Sequence, residues 1–589
     1  MNDRSRWIWL AAIMALALAM RLWHLNDGLE QDEFGPLYAV AQRVDSPPGV
    51  IPSKSDPIVP VASWKEVRQR SVLPYGVVNP APLYHYLLYG VVQTLPIAEW
   101  SLRLPSLLAG LATVAAMYCL GRRMMGVTLG LLAALLTAFE PMQIIVSDLA
   151  RPYALANLAC VLSFIALFDM LYAERGRQLI LAGITYGCCL AFIGYMNPLL
   201  LLVGTAHASV VFLWWRDRVS AGEPLGQCLV AWLAGCALAA SLFWPELDYF
   251  LKIQQFAGAQ RDYLDRMALK SSYLVMPLTH NSTFLVALLA MAGARVVAKT
   301  WMRTAPAQLS ALDARGLEAR RLSRSWLLAP QVAIMVIALL AARSGLLSRY
   351  LSYVPLGGIL LLAIRIFRGN SLRLRLAMTA AAVLMMICWG NSVLGRGFGL
   401  QTPNYARQIV ERLDRLNHDA HWQPGDAVVV RGGFLEADFL PDSIPADTRA
   451  DVERLVASPL TTLYGTETSK PLICLSVSLR HGDKLFAGPQ SVACHVERFY
   501  TDELAQRLGT HKRLWLCDQL WYRQEFRFSF LLWLADTLHA DLRVTEDIDS
   551  PNAPFVVRPG MNPDELNIGS RVYTIWDPVT ITLIEIVRQ

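Results

Sequence analysis

Long apolar segments, separated by short basic loops, occupy the first two thirds of the chain. A helix that crosses a bilayer needs about 20 predominantly apolar residues. Twelve apolar runs approach or reach that length: 7–25, 81–96, 103–120, 127–146, 152–172, 179–195, 198–215, 226–245, 277–295, 326–343, 350–366 and 374–395. The pattern predicts a polytopic α-helical membrane protein, with a break between two helices at Asn197-Pro198 because proline cannot continue a helix.

The run 81–96 is the one whose crossing is in question, because it is short and contains His85 and Gln93. Basic loops between membrane helices stay on the cytoplasmic side. If 81–96 does not cross and the N-terminus is cytoplasmic, every strongly basic short loop is cytoplasmic: 121–126, 173–178, 216–225, 296–325 and 367–373. The sequence therefore predicts eleven crossings, with 81–96 a juxtamembrane helix on the outer face.

The same count places the segments that face outward. Arg4 and Arg6 before the first apolar run imitate a signal peptide, but an uncleaved first helix is favoured because many spans follow. The outer face then holds a large first loop, the shorter loops and the chain after the last span: 26–102, 147–151, 246–276, 344–349 and 397–589.

The composition changes after the last apolar run. An amphipathic helix is predicted at 404–417 and a helix with an aromatic face at 526–540. Short, largely apolar runs predict strands at 427–430, 472–477, 514–517 and 579–586. Strands that alternate with helices indicate an extracytoplasmic α/β domain at 397–589, after a transmembrane domain at 1–396.

Composition agrees with a membrane protein. The 589 residues are 54% hydrophobic and 17% charged, whereas a soluble domain carries about 25% charged residues. The net charge of +6 comes from basic residues in short loops, which indicates membrane orientation rather than nucleic-acid binding. We expect a multi-pass protein of the cell (inner) membrane in contact with its lipids.

The acidic pair Asp32-Glu33 is the first candidate for chemistry. Carboxylates just outside a membrane can orient a substrate, accept a proton or hold a divalent cation; the alternative is a solvated loop pair. Asp148 and Arg151 lie in a short loop predicted on the same face, where Arg151 can bind a phosphate. The alternative there is a local ion pair that caps the following helix, which begins near Pro152.

Two further stretches contribute polar residues on the predicted outer side. Tyr84 and His85 follow the prolines of 79–86, and Arg349 with Tyr350 begins the run 350–366. A guanidinium has the planar donor geometry for a lipid phosphate, although an interfacial arginine needs no ligand. Glu140, directly before Pro141, is interpreted as a helix terminus at the membrane interface rather than as a functional group.

These stretches together resemble a known family. The matching residues are Arg21-Leu22-Trp23 followed by Asp32-Glu33, then Pro82-Leu83-Tyr84, Leu102 through Gly110, Ser147 through Tyr153, and Arg349-Tyr350 with Pro355. Over about residues 7–366 the chain resembles the polyprenol-phosphate-sugar-dependent glycosyltransferases with the GT-C fold. That group includes the aminoarabinose transferases of lipid A, the protein O-mannosyltransferases and related galacturonosyltransferases and mannosyltransferases.

The resemblance implies a site and a reaction. A sugar would move from a polyprenyl-phosphate donor to a hydroxyl of a glycan, lipid or protein, with inversion at the anomeric carbon. Asp32, Glu33 and Asp148 would be catalytic; the substrate-binding residues would be Arg151, Tyr153, Tyr84, His85, Arg349 and Tyr350. No cofactor is certain, and a divalent metal on Asp32 and Asp148 is left open.

Some relatives carry a lysine before a Pro-Pro-Leu motif. In this chain Asn79 and Pro80 stand there and Ala81 replaces a proline, so His85 or Arg349 would have to supply the phosphate contact. Two other functions compete: a transporter or flippase of a lipid-linked or anionic substrate, and a silent receptor whose tail binds a partner. A transporter predicts ionisable residues at mid-membrane, whereas the charges of this chain gather at one face.

Overall fold

The structure is a computed structural model of the chain. It describes the following residues: 3–23, 25–29, 33–43, 50–71, 82–172, 176–220, 226–259, 282–297, 314–341, 351–369, 371–396, 405–418, 421–432, 463–464, 470–476, 502–519, 524–545, 554–561 and 579–588.

Fifteen helices are described before residue 397, and most follow the predicted apolar runs. They are α1 Asp3–Leu22, α2 Phe34–Val40, α3 Trp64–Ser71, α4 Pro82–Val92, α5 Glu99–Met125, α6 Val127–Phe139, α7 Pro141–Ser147, α8 Tyr153–Tyr172, α9 Arg177–Met196, α10 Val203–Ser220, α11 Gly226–Ala259, α12 Ser282–Val297, α13 Ala314–Ala341, α14 Val354–Phe367 and α15 Leu372–Arg396.

Six of the described helices are long and apolar enough to cross a membrane, and seven spans result if the bent pair α6 and α7 counts as one. The fold is therefore that of a mostly helical, multi-pass membrane protein. Two shorter apolar helices, α12 and α14, fall below the length criterion. The predicted count of eleven crossings stays a prediction.

Two features of the predicted helix pattern are observed. The run 81–96 forms α4, which has 11 residues, about half the length needed to cross a bilayer. Helix α9 ends at Met196, and a short 3-10 helix begins at Pro198 before α10. The break at Asn197-Pro198 is confirmed.

The run 127–146, which we expected to be one helix, is bent by 64° at Glu140. Glu140 leaves the helical conformation, Pro141 begins α7, and the Glu140 carboxylate accepts a hydrogen bond of 2.7 Å from the Gln143 amide. Proline is tolerated at a helix start because its missing N–H would be unpaired there anyway. Glu140 is thus a helix terminus, as interpreted, and the bend directs α7 towards the loop at 148–152.

After residue 404 the described chain contains helices and a mixed sheet. The helices are α16 Tyr405–His418, α17 Asp502–Gly509 and α18 Gln524–Leu538; the strands are β4 Ala427–Gly432, β5 Lys470–Ser476, β6 Arg513–Gln519, β7 Asp541–Thr545, β8 Phe555–Val557 and β9 Val579–Val587. Strand β4 is parallel to β5 and β6, and β9 is antiparallel to β6 and β7. Both predicted helices and all four predicted strands are present.

The first loop also contains strands, and one of them joins the C-terminal sheet. These strands are β1 Ala41–Arg43, β2 Val50–Ile51 and β3 Ile58–Pro60. Strands β1 and β3 pair with each other, while β2 adds to the edge of the sheet beside β5. The segment after the acidic pair is thereby attached to the C-terminal region.

Candidate functional site

Glu33 lies at the start of α2 and is completely buried. Arg103 of α5 donates to both of its carboxylate oxygens, from Nε to Oε1 at 2.9 Å and from Nη2 to Oε2 at 2.6 Å. The amide of Ala150 also donates to Oε1, at 2.6 Å. This one carboxylate therefore joins the first loop, α5 and the loop at 148–152.

Arg103 also holds the segment that leads from α1 towards the acidic pair. Its guanidinium donates to the carbonyl oxygens of Leu25, Asp27 and Gly28, at 3.2, 2.5 and 2.9 Å. The planar fork of an arginine can serve several acceptors at once. The segment 25–28 and Glu33 are consequently fixed to the same side chain.

Asp148 ends α7 and is 9% exposed. Its Oδ1 atom accepts no hydrogen bond from any residue that the structure describes. Burial raises the pKa of the Asp148 carboxyl well above its usual value, and the nearby positive charges of Arg21 and Arg103 oppose that shift. A buried acceptor without a partner is costly, so this oxygen is positioned for a ligand that donates a hydrogen bond.

Arg21 stands in the last turn of α1 and is fully buried. Its Nε atom donates to Ser147 Oγ at 3.1 Å, and Nη1 donates to the carbonyl oxygens of Ala17 and Ala138. Nη2 has no acceptor among the described residues. Gly110 makes this approach feasible, since a Cβ there would collide with Ser147 Oγ and lie 3.2 Å from Arg21 Nε.

Arg151 provides a second guanidinium in the same loop. It is 7% exposed, its Nε has no acceptor within the described part of the chain, and its guanidinium carbon lies 5.8 Å from the ring centroid of Tyr153. Its carbonyl oxygen accepts a hydrogen bond of 2.9 Å from Ser106 Oγ. Among the described residues no ion pair joins Arg151 to Asp148, which counts against the alternative of a local capping pair.

Tyr84 and His85 face this region from α4. The Tyr84 hydroxyl lies 3.5 Å from Ser106 Oγ, the atom that binds the Arg151 carbonyl. His85 Nδ1 lies 2.7 Å from Ser71 Oγ. Because the Ser71 hydroxyl donates to the Val67 carbonyl, His85 Nδ1 is assigned as the protonated nitrogen.

His85 is held in its neutral form. Burial, and after it the charge of Arg151, lowers the pKa of His85 to about 3. At neutral pH its Nε2 atom is therefore an acceptor rather than a cation. His85 cannot replace, as a positive charge, the lysine that some relatives carry.

A chain of three side chains connects α7 and α8 to the segment after Arg349. Gln143 Nε2 donates to the Ser352 carbonyl at 2.7 Å, Asn157 Nδ2 donates to Gln143 Oε1 at 3.1 Å, and Ser352 Oγ donates to Asn157 Oδ1 at 3.0 Å. All three residues are buried. The backbone three residues beyond Arg349 is thus attached to α7 and α8, the helices on either side of the loop that contains Asp148.

The structure brings together six of the nine residues predicted for the site: Glu33, Tyr84, His85, Asp148, Arg151 and Tyr153. Asp32, Arg349 and Tyr350 lie outside the described residues. Arg103 and Arg21 join the site, although the sequence placed them only in motifs. Their position, as charged residues inside or at the end of an apolar helix, is the signal that could have identified them.

The described residues alone do not fit a divalent metal. In the described part of the chain no three carboxylate, imidazole or thiol groups lie close enough to hold one ion. The positive charges of Arg21 and Arg103, which act on Asp148, would repel a divalent metal ion at that carboxylate. Asp32, the other predicted ligand, lies outside the described residues.

Comparison with known protein families finds a match for part of the chain. Residues 79–247 match the family model for dolichyl-phosphate-mannose-protein mannosyltransferases. The family resemblance read from the sequence is confirmed. Over these residues the chain is similar to this family of mannosyltransferases, and the matched residues include α4, the bend at Glu140 and the loop with Asp148 and Arg151.

Several solved structures are similar to the chain. ArnT from Cupriavidus metallidurans bound to undecaprenyl phosphate is 11% identical, with 98% of each chain covered and a TM-score of 0.48. The Archaeoglobus fulgidus oligosaccharyltransferase in its apo form is 11% identical over 95% of this chain and 75% of that chain, with a TM-score of 0.49. No curated protein sequence matches the chain.

Proposed function

We propose that the chain is an integral membrane glycosyltransferase that moves a sugar from a polyprenyl-phosphate donor to an acceptor hydroxyl on the outer face. The observation that carries the proposal is that Asp148 Oδ1, Arg21 Nη2 and Arg151 Nε are buried and have no partner in the described structure. Buried polar atoms are normally hydrogen-bonded. Two free guanidinium donors suit phosphate oxygens, and the free carboxylate oxygen suits a hydroxyl.

Asp32 is proposed as the residue that receives the proton of the acceptor hydroxyl. Glu33 receives a different role from the catalytic one expected at first. Both of its oxygens accept hydrogen bonds from Arg103, and Oε1 also accepts one from Ala150. A carboxylate occupied in this way is a poor base, so Glu33 is proposed to position its neighbour Asp32.

The donor phosphate is proposed to bind to arginines. Arg151 and Arg21 each have an unused N–H that is buried, and Arg349 is proposed to add a third guanidinium from the segment before Ser352. Positive charge that faces the departing phosphate stabilises the charge that develops on it in the transition state. Tyr153 and Tyr350 are proposed to contact the substrate beside these arginines.

The reaction is a single displacement. The acceptor oxygen attacks the anomeric carbon as the bond between that carbon and the phosphate oxygen breaks. The bonding electrons leave with the polyprenyl phosphate, and the hydroxyl proton passes to Asp32. Attack from the side opposite the phosphate inverts the anomeric centre.

The test is release of free polyprenyl phosphate by the purified protein, measured by mass spectrometry after incubation with a set of polyprenyl-phosphate sugars and an envelope extract as acceptor. We expect release with the wild type and its loss with Asp32→Asn and Asp148→Asn. Asp169→Asn is the matched control, because Asp169 lies near the other end of α8 in an ion pair with Arg123 at 3.0 Å. Release that survives Asp32→Asn and Asp148→Asn alike would overturn the proposal.

A further inference from the structure

The backbone between α1 and the acidic pair is held at every residue from 25 to 29. Arg103 binds the carbonyl oxygens of three of these residues, as described above. Arg407 of α16 donates from Nη1 to the Asn26 carbonyl at 3.1 Å. The Leu29 amide donates to the hydroxyl of Tyr464 at 2.9 Å. Two of the five contacts therefore come from the C-terminal region.

Tyr464 is inserted into this segment rather than resting on its surface. It is 9% exposed, and Leu29, whose amide it binds, is 2% exposed. Burial, and after it the charge of Glu99 at the start of α5, raises the pKa of the Tyr464 hydroxyl. Glu99 in turn lies 3.8 Å from Arg407 Nη1. Both C-terminal side chains thus interact electrostatically with the carboxylate of Glu99 in α5.

Other contacts attach the C-terminal region to the first loop. Strand β2 pairs with the beginning of β5, Lys54 forms an ion pair with Asp414, and Arg43 Nη2 donates to the Leu463 carbonyl at 3.4 Å. Along the first loop these three contacts come after Leu29, at residues 43–54, whereas the Arg407 contact with Asn26 comes before it. The region is therefore docked on the loop that contains the acidic pair.

We infer that Tyr464 and Arg407 are positioning residues for the transfer reaction, so that the C-terminal region is a working part of the catalytic site. This inference rests on the proposed function. Residues 25–29 precede Asp32 and Glu33 follows it, and Arg103 fixes both sides only while the segment keeps its shape. Without the Tyr464 hydroxyl the buried Leu29 amide loses its acceptor, and a buried donor without a partner favours rearrangement of the segment.

The consequence is a selective effect on the chemical step. Misplacement of a reacting group by about 1 Å can lower a rate on the order of a hundredfold. Arg21 and Arg151, the described residues proposed to bind the donor phosphate, form no hydrogen bond or ion pair with Tyr464. Loss of the Tyr464 hydroxyl should therefore lower kcat and leave donor affinity nearly unchanged.

The first test compares Tyr464→Phe with Tyr118→Phe. Tyr118 is also buried, but its hydroxyl has no hydrogen-bond partner in the described structure. We expect kcat to fall roughly ten- to a hundredfold in Tyr464→Phe, with donor Kd and thermal midpoint close to wild type and Tyr118→Phe unaffected. A kcat that stays within about twofold of wild type, or a loss explained by weaker donor binding, would overturn the inference.

The second test uses Arg407. Lysine can still donate a hydrogen bond to the Asn26 carbonyl and carry a charge beside Glu99, whereas methionine can do neither. Arg407→Lys should retain most of the wild-type kcat, and Arg407→Met should lose activity as Tyr464→Phe does. Equal activity of the lysine and methionine variants would contradict a positioning role.

A structural readout separates this inference from the proposed function. Hydrogen exchange of the Leu29 amide, followed by mass spectrometry of peptides covering residues 25–29, needs no substrate. It should become faster in Tyr464→Phe and stay unchanged in Tyr118→Phe. If the exchange results are as expected but the wild-type protein transfers no sugar, the proposed function alone is refuted. Unchanged exchange in Tyr464→Phe would refute the positioning contact itself.

Discussion

Glu33 and Arg103 form a buried ion pair with two parallel hydrogen bonds, although 70 residues separate them along the chain. Each side chain is almost completely inaccessible to solvent, at 0% and 3% exposure. Through further hydrogen bonds the pair joins the segment after α1, the start of α2 and the Ala150 amide. The pair thus fixes the relative positions of three separate parts of the proposed site.

Removing both partners of this pair should cost less stability than the sum of the two single removals. Arg103→Met leaves a buried carboxylate without a counter-charge, and such a loss costs about 3–5 kcal/mol. The double variant Glu33→Gln/Arg103→Met removes both charges and should cost less than the sum of the single changes. Unfolding midpoints in detergent micelles measure this, and strictly additive effects would show that the pair does not couple the two segments.

Asp148 should make stability depend on pH in a defined direction. An unfolded aspartate titrates near pH 3.9, whereas burial raises the pKa of Asp148 in the folded protein. Between these two values the folded state holds a proton that the unfolded state has lost, so stability falls as pH rises through this window.

Asp148→Asn removes that titration. The variant should gain stability relative to wild type as the pH is raised from about 4 towards neutrality, because asparagine stays uncharged. Thermal midpoints of both proteins at a series of pH values test this. A difference that stays constant with pH would mean that the Asp148 carboxyl is not buried as the structure has it.

Much of the fold could be predicted from hydrophobicity alone. The apolar runs locate the helices, although α11 continues to Ala259 beyond the run 226–245 and α13 begins at Ala314, before the run 326–343. The break at Asn197-Pro198 follows from the proline. The bend at Glu140 was missed, because Glu140 is the only charged residue of the largely apolar run 127–146 and proline is compatible with a helix start. Strand β7 was missed too, since Asp541–Thr545 is short and largely polar.

The contacts of the site were harder to predict than its members. Glu33, Asp148 and Arg151 stood out because charged residues are rare beside apolar runs. Their partners did not, because no local pattern connects residues 70 positions apart, as in Glu33 and Arg103, or 435 apart, as in Leu29 and Tyr464. Only the folded chain shows that both oxygens of Glu33 are occupied, which shifts its proposed role from catalysis to positioning.

Arg349 should hold the donor phosphate through its planar guanidinium. Lysine offers a point charge instead of two parallel donors, so Arg349→Lys should bind the polyprenyl-phosphate donor markedly less well than wild type, and Arg349→Ala less well again. Acceptor affinity should change little. Donor affinity equal to wild type in Arg349→Lys would mean that Arg349 is an interfacial anchor, since lysine reaches the headgroups nearly as well.

The predicted orientation places the first loop outside and the basic loops inside. Ser55 and Gln178 are both exposed and lie on opposite predicted sides. In a background without reactive native cysteines, a membrane-impermeant maleimide should label Ser55→Cys on intact cells and Gln178→Cys only after permeabilisation. The reverse pattern would invert the topology and place the acidic pair on the cytoplasmic side.

The measurement closest to the central claim is a mass-spectrometric comparison of envelope glycans, lipids and proteins from cells with wild type, without the protein, and with Asp32→Asn produced at wild-type levels. The proposed reaction predicts a sugar-bearing product that is present with wild type and missing in the other two, together with its unmodified acceptor. If Asp32→Asn restores the product, or if the three sets of spectra are identical, this chain does not transfer a sugar by the proposed mechanism.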